Sequence, residues 1–157
     1  MPDMLVKLYA LDSVDPLIKE QDASGVCIRR ILPPEKHILV NWVREEFNEK
    51  WASECDVAFT NHPVSCFVAI EKEKIIGFAC YNATAKGFFG PEGVAETSRR
   101  RGIGKALALR CLHTMAEDGY AYAIIGAAGP TDFYAKAVKA AVIEGSTPGI
   151  YQGMLKG

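Results

Sequence analysis

Hydrophobic positions near the start of the chain form two short extended runs, Val6 to Leu11 and Val26 to Ile31, separated by a polar stretch. Each reads as a strand. Pro33 and Pro34 end the second run and open a helix, because proline suits a first helical turn and not the middle of an element. From Glu35 to Phe59 the periodicity changes: Leu39, Trp42, Val43, Phe47, Trp51, Cys55 and Phe59 recur at helical spacing. That stretch is long for one globular helix, so two helices with a break near Asn48 are expected.

Beyond Asn61-His62-Pro63 the apolar runs shorten again. Ser65 to Glu71 and Ile75 to Asn82 flank the charged turn Lys72-Glu73-Lys74 and predict an antiparallel hairpin. Phe88 to Ala95 is a further strand whose Gly90, Pro91 and Gly93 mark an edge, an end or a bulge. A helix starts at Gly102, with Ile103, Leu107, Ala108, Cys111, Leu112 and Met115 facing inward and Arg110, His113 and Glu117 outward. Gly119 stands where a C-terminal cap belongs. Tyr120 to Ala127 then reads as a buried strand and Thr131 to Ala140 as a short helix. The tail, Ala141 to Glu144 and Ile150 to Leu155, reads as a closing hairpin around Gly145 to Gly149. Helices inserted between strands in this order predict a mixed α/β, or α+β, fold.

At 157 residues one domain is expected, residues 1–157, and 49% hydrophobic content with 24% charged argues against disorder. No apolar stretch approaches the length of a membrane span. Met1 to Lys7 carries an acid and no apolar segment, so a cytoplasmic location without membrane attachment is expected. The five cysteines contain no CxxC pair and read as reduced core residues. His37, His62 and His113 lack metal-ligand spacing, and no metal site follows.

With 18 Lys+Arg against 19 Asp+Glu, the chain has no general basic coat for nucleic acid. Its positive charge is local. Arg99, Arg100, Arg101 and Lys105 surround Gly102 and Gly104 where a strand feeds an amphipathic helix. The first helical turn leaves backbone N–H groups unpaired, and the glycines let an anion approach them. The pattern points to a phosphate or pyrophosphate. A nucleoside-triphosphate loop would need glycine at Arg99 and Ser or Thr at Ala106. A dinucleotide fingerprint would need a third glycine at Leu107.

Arg99-Arg100-Arg101-Gly102-Ile103-Gly104 resembles the R/Q-x-x-G-x-G/A loop of the GNAT superfamily, the acyl-CoA-dependent N-acyltransferases. A second family signature, an aromatic-Tyr pair in the helix after the next strand, is matched by Phe133-Tyr134. The likeness covers Ser65 to the C-terminus, and the two helices before it fit the family's acceptor side. The chain departs from the pattern at Glu96, where proline is frequent, near Ala127 and Ala128, where asparagine is absent, and around Lys139.

The resemblance implies a mostly antiparallel central sheet of about seven strands flanked by helices. Near Val94 and Ala95 it would splay from the strand at Tyr120 to Ala127, leaving a cofactor slot. It implies transfer of an acetyl group from acetyl-CoA to a primary amine, by direct attack in a ternary complex. The amides of Arg100, Arg101, Gly102, Ile103, Gly104 and Lys105, with Arg99 beside them, would hold the pyrophosphate. Glu92, Gly93 and Val94 would run along the pantetheine arm, and the Val94 N–H would polarise the thioester carbonyl. Tyr134 would be the general acid, the alternative being a buried tyrosine bonded to a backbone carbonyl. Glu92 is either the general base or a solvated residue at a Pro-Glu-Gly turn. Trp42, Phe47 and Trp51 are core, or line the acceptor cleft. A small-molecule or peptide amine is the expected acceptor, and a homodimer through the C-terminal hairpin is open. Rival readings are a non-catalytic acyl-CoA-binding regulatory module on the same fold and an RNA-binding protein using the arginines.

Overall fold

In the computed structural model, which describes Met1–Gly157, the strands are β1 (Met4–Lys7), β2 (Val26–Arg30), β3 (Cys66–Glu71), β4 (Lys74–Tyr81), β5 (Phe88–Val94), β6 (Tyr122–Ile125) and β7 (Ala141–Val142). The helices are α1 (Asp15–Ala23), α2 (Lys36–Glu46), α3 (Glu49–Ala58), α4 (Ile103–Glu117) and α5 (Thr131–Val138). All seven strands form one sheet in the order β2-β3-β4-β5-β6-β1-β7. Every pairing is antiparallel except β5 with β6. No helix is long and apolar enough to cross a membrane.

Strand alternation divides the core between the two faces of this sheet. Phe67, Ala69, Ala79, Tyr81 and Phe89 point to the side covered by α4 and α5, where they join Ile103, Leu107, Cys111, Leu112 and Tyr134. Cys66, Val68, Phe78 and Cys80 point the other way, against Leu39 and Val43 of α2 and Ala52 and Cys55 of α3. The break between α2 and α3 falls at Asn48, whose side chain caps α3 by accepting from the Trp51 amide at 2.8 Å. The hairpin between β3 and β4 turns on Lys72 and Glu73, both at positive φ, as a two-residue turn matched to the strand twist requires. At the other end of α4, Gly119 is left-handed, and Tyr120 N–H donates back to Met115 at 3.1 Å.

Four expectations are corrected. Of the five cysteines read as core, Cys27 is exposed, because it alternates outward on the edge strand β2, while the other four are buried. The polar stretch before β2 is a helix, α1, begun by Pro16 at its first turn. The one residue α1 fully buries is a glutamine, Gln21, so no apolar period announces it. The first strand lies earlier than Val6 to Leu11: Met4 and Val6 are its inward positions, and Leu8–Ala10 is a 3-10 turn. The closing C-terminal hairpin is absent. The place beside β6 belongs to β1, which pairs Met4 with Ile125 and Lys7 with Tyr122. The tail adds only Ala141–Val142, outside β1, and Gly149–Tyr151 is a 3-10 turn.

Candidate active site

The site begins where β5 leaves its partners. Ala79 pairs with Glu92 but Tyr81 pairs with Phe89, so two steps along β4 oppose three along β5. This bulge puts Phe89 and Glu92 on the same face of the sheet, toward α4 and α5. On the other edge, β5 pairs with β6 only at Phe88–Ile124 and Phe89–Ile125. From Gly90 onward the strands splay, a few residues earlier than the Val94 to Ala95 expected. Ala95 N–H donates to Ile76 at 2.8 Å, so by alternation the amide and carbonyl of Val94 face away from β4, toward the opening. The Val94 carbonyl is met there by Arg99 Nε at 3.1 Å.

The opening is a cleft of about 590 Å³, lined by Glu92, Gly93 and Val94, by Ser98 to Arg100, by Gly102 to Lys105, and by Phe133 and Tyr134. Every residue expected at the site therefore reaches it, with one exception. Arg101 is not part of the lining: its guanidinium makes a two-pronged bond to Glu71 at 3.1 and 2.6 Å, so only its backbone belongs to the loop. Phe47 and Trp51 also line the cleft, while Trp42 packs on Phe47 and Phe78. The aromatic stripe is thus core along one side and cleft wall along the other. Gly93 is required at this wall, since a Cβ there would lie 2.5 Å from the Phe47 ring.

In one part of the cleft wall the backbone is arranged for an anion. Gly102 stands at the N-cap of α4 with φ 78° and offers no capping side chain. The first amide of this helix with a backbone partner is that of Ala106, which donates to Gly102. The amides from Arg100 through Lys105 have no backbone acceptor. Arg100, at φ 65°, and Gly102 are left-handed on either side of Arg101, the kind of alternation that turns successive N–H groups into one concave cradle. A non-glycine residue held there is strained, and such strain is typical of binding loops.

The same cleft wall holds a pair of titratable groups. Tyr134 donates to Glu92 Oε1 at 3.0 Å, and Glu92 Oε2 is enclosed with no partner. Burial pushes the Glu92 carboxyl up to about 8, partly opposed by the Tyr134 hydrogen bond. Burial first, then the neighbouring Glu92 charge, holds the Tyr134 phenol well above its usual range. A buried carboxylate in the cleft wall with one oxygen unpartnered can accept a proton, and the tyrosine beside it can pass one on.

Residues 36–138 match the sequence profile of the acetyltransferase (GNAT) family. The chain belongs to that family. No curated protein matches it in sequence. Among solved structures, it is similar to the GCN5-related glucosamine N-acetyltransferase region of a fungal multi-domain GH3 β-N-acetylglucosaminidase, with TM-score 0.73 and 16% identity over 90% of this chain and 19% of that one. A GCN5-related N-acetyltransferase from Sphaerobacter thermophilus aligns with TM-score 0.67 and 22% identity over 90% of this chain and 48% of that one. One from Kribbella flavida gives TM-score 0.56 and 16% identity, again over 90% of this chain, and 53% of its own. The chain thus spans about half or less of these proteins, and the likeness establishes the GNAT fold. Within it, the cradle, the splay and the Glu92–Tyr134 pair all fall inside the matched residues, whereas α1 and Gln21 precede them.

Proposed function

We propose that this GNAT chain transfers an acetyl group from acetyl-CoA to a primary amine, the two substrates meeting in a ternary complex. One observation carries the reading: a single cleft joins the unpartnered amides of Arg100 to Lys105 to the enclosed Glu92–Tyr134 pair. The first suits a pyrophosphate and the second suits proton transfer. When bound, acetyl-CoA supplies a thioester that an amine can attack, with the sulfur leaving as a thiolate.

The chain's own groups then have distinct tasks. The cradle amides, with Arg100 and Lys105 at its rim, hold the pyrophosphate. The Val94 N–H, turned to the opening and fixed by the β4–β5 ladder, would donate to the thioester carbonyl oxygen, where a preorganised donor contributes most. Glu92 Oε2 takes the proton that the attacking amine must lose. Tyr134 gives its hydroxyl proton to the leaving sulfur.

The two proton movements are linked. While Glu92 is ionised, its charge holds the Tyr134 proton in place. Once Glu92 carries a proton, that restraint is gone and Tyr134 can donate to sulfur; a turn of the carboxyl about its Cγ–Cδ bond then brings the Oε2 proton to the Tyr134 oxygen. One proton enters at Oε2 and one leaves at the tyrosine, so the pair returns to its starting state.

The test is calorimetric titration with acetyl-CoA, using CoA, NAD and ATP as comparisons. Binding confined to the two CoA species, and lost when Gly102 and Gly104 are replaced by bulky residues, is the expected result. No binding of any CoA species would overturn the assignment. A folded protein that binds acetyl-CoA but acetylates none of a broad set of amines would instead be a non-catalytic acyl-CoA-binding module.

A further inference from the structure

Gln21 lies far from the cleft in sequence and outside the residues that match the family. It is the buried residue of α1, only 5% exposed, and its Nε2 donates to the Arg101 carbonyl at 2.6 Å across 80 positions. Its Oε1 is buried and has no partner. Turning the amide over would set two oxygens against each other, so the orphan acceptor is inherent in this placement. A buried unpartnered oxygen lowers stability, and an apolar side chain of the same length would avoid that loss.

What the placement achieves is visible in the peptide it holds. The Arg101–Gly102 bond is trans, so its C=O and N–H point in opposite directions. A carbonyl held toward Gln21 turns the Gly102 N–H away from α1, and Gly102 lines the cleft while Gln21 does not. Gln21 also packs directly under the glycine: a Cβ at Gly102 would lie 3.4 Å from Nε2. Glu71, at the end of β3, holds the Arg101 guanidinium. The residue between the two left-handed positions of the cradle is therefore tied at both ends, its backbone to α1 and its side chain to β3.

We infer that Gln21 is a positioning residue that sets the anion cradle, by fixing the Arg101–Gly102 peptide with its N–H directed at the pyrophosphate. This rests on the reading of that cradle as the CoA site. Gln21 touches neither substrate nor reacting atoms, so its effect falls on cofactor affinity and not on the chemical step. The helix that carries it is then part of the cofactor site without contributing a lining residue.

The experiment compares wild type with Gln21→Met, which keeps the length of the side chain and removes both the donor and the orphan oxygen. Gln21→Glu, which keeps the shape but presents only acceptors to Arg101, is the second variant. Titration with CoA and thermal melting are run on all three, with KM and kcat for acetyl-CoA and for the amine. Gln21→Met is expected to melt at or above the wild-type temperature and to bind CoA at least about tenfold more weakly, the direction expected when binding loses preorganisation. KM for acetyl-CoA should rise in step, with kcat and the amine KM within about threefold of wild type. Gln21→Glu should weaken CoA binding at least as much. If wild type binds CoA and either folded variant binds it equally well, the positioning role is overturned while the function stands. A fall in kcat without a change in CoA affinity would overturn it too. If wild type binds no CoA, the functional reading fails and takes this inference with it.

Discussion

Tyr134 donates its phenolic hydrogen to Oε1 of Glu92 at 3.0 Å, tying α5 to the bulged strand β5. Burial raises the Glu92 carboxyl to about 8, and this hydrogen bond keeps it from rising further. If Glu92 accepts the amine's proton, kcat/KM must climb with pH as Glu92 ionises, with an acid limb near that value. Tyr134→Phe removes the bond that favours the ionised form, so the limb should move to higher pH. Turnover should also fall at least about tenfold while CoA affinity is kept. Glu92→Gln should abolish the limb. A limb that stays in place in both variants would assign the titration to another group, most simply the amine substrate itself.

The same carboxyl makes stability depend on pH. In the unfolded chain Glu92 titrates near the ordinary value of about 4.3, and in the folded protein near 8. Between those values the folded state holds the extra proton, so stability falls as pH rises and levels off above the folded value. Urea melts at about pH 5 and about pH 8.5 should show the wild type losing a few kcal/mol across the interval. Glu92→Gln, which cannot ionise, should lose distinctly less.

Much of this architecture was legible because hydrophobic periodicity reports directly on burial. The inward face of α4, the break at Asn48 and the hairpin at Lys72–Glu73 all follow from local pattern. The loop at Gly102 was legible for a different reason: glycine at a helix start, without a capping side chain, leaves amides that only a ligand or water can satisfy. What escaped was contact between distant segments. Nothing local marks β1 as the neighbour of β6, and the tail has the same turn-rich, apolar character that a closing strand would have. The bulge that brings Glu92 round to Tyr134 depends on the pairing of β5 with β4, which composition does not reveal. Arg101 looked equivalent to Arg99 and Arg100 until Glu71 was found beside it. Gln21 carried no signal, because a polar residue in a polar stretch reads as surface.

The two loop glycines are required for different reasons, and alanine should separate them. Gly102 is at φ 78°, so Gly102→Ala forces an ordinary residue into the left-handed region and should cost about 1 kcal/mol of stability. Gly104 lies within the helix, where alanine is favoured over glycine by up to about 1 kcal/mol. Its Cβ would project between Phe133, at 3.4 Å, and Val94, at 3.8 Å, both of which line the cleft. Gly104→Ala should therefore melt at or above the wild-type temperature yet bind CoA more weakly. Thermal melts with and without CoA measure both properties, and a Gly104→Ala variant with unchanged CoA stabilisation would show that nothing approaches the backbone there.

The arginine run should not respond uniformly to neutralisation. Arg100 and Lys105 line the cleft and make no ion pair, whereas Arg101 spends its guanidinium on Glu71 at 2.6 Å and lies outside the lining. Removing a free cation from a phosphate site should weaken binding several-fold, more at low ionic strength, where screening is least. Arg100→Met and Lys105→Met are thus expected to raise the Kd for CoA by about three- to tenfold, with a shallower salt dependence than wild type. Arg101→Met should change that Kd by less than about twofold, because Gln21 still holds its carbonyl, and the half-exposed ion pair it loses contributes little, about 0–1 kcal/mol. Titrations at two salt concentrations decide the matter: if Arg101→Met weakens CoA as much as Lys105→Met does, its side chain leaves Glu71 for the phosphate when the cofactor binds.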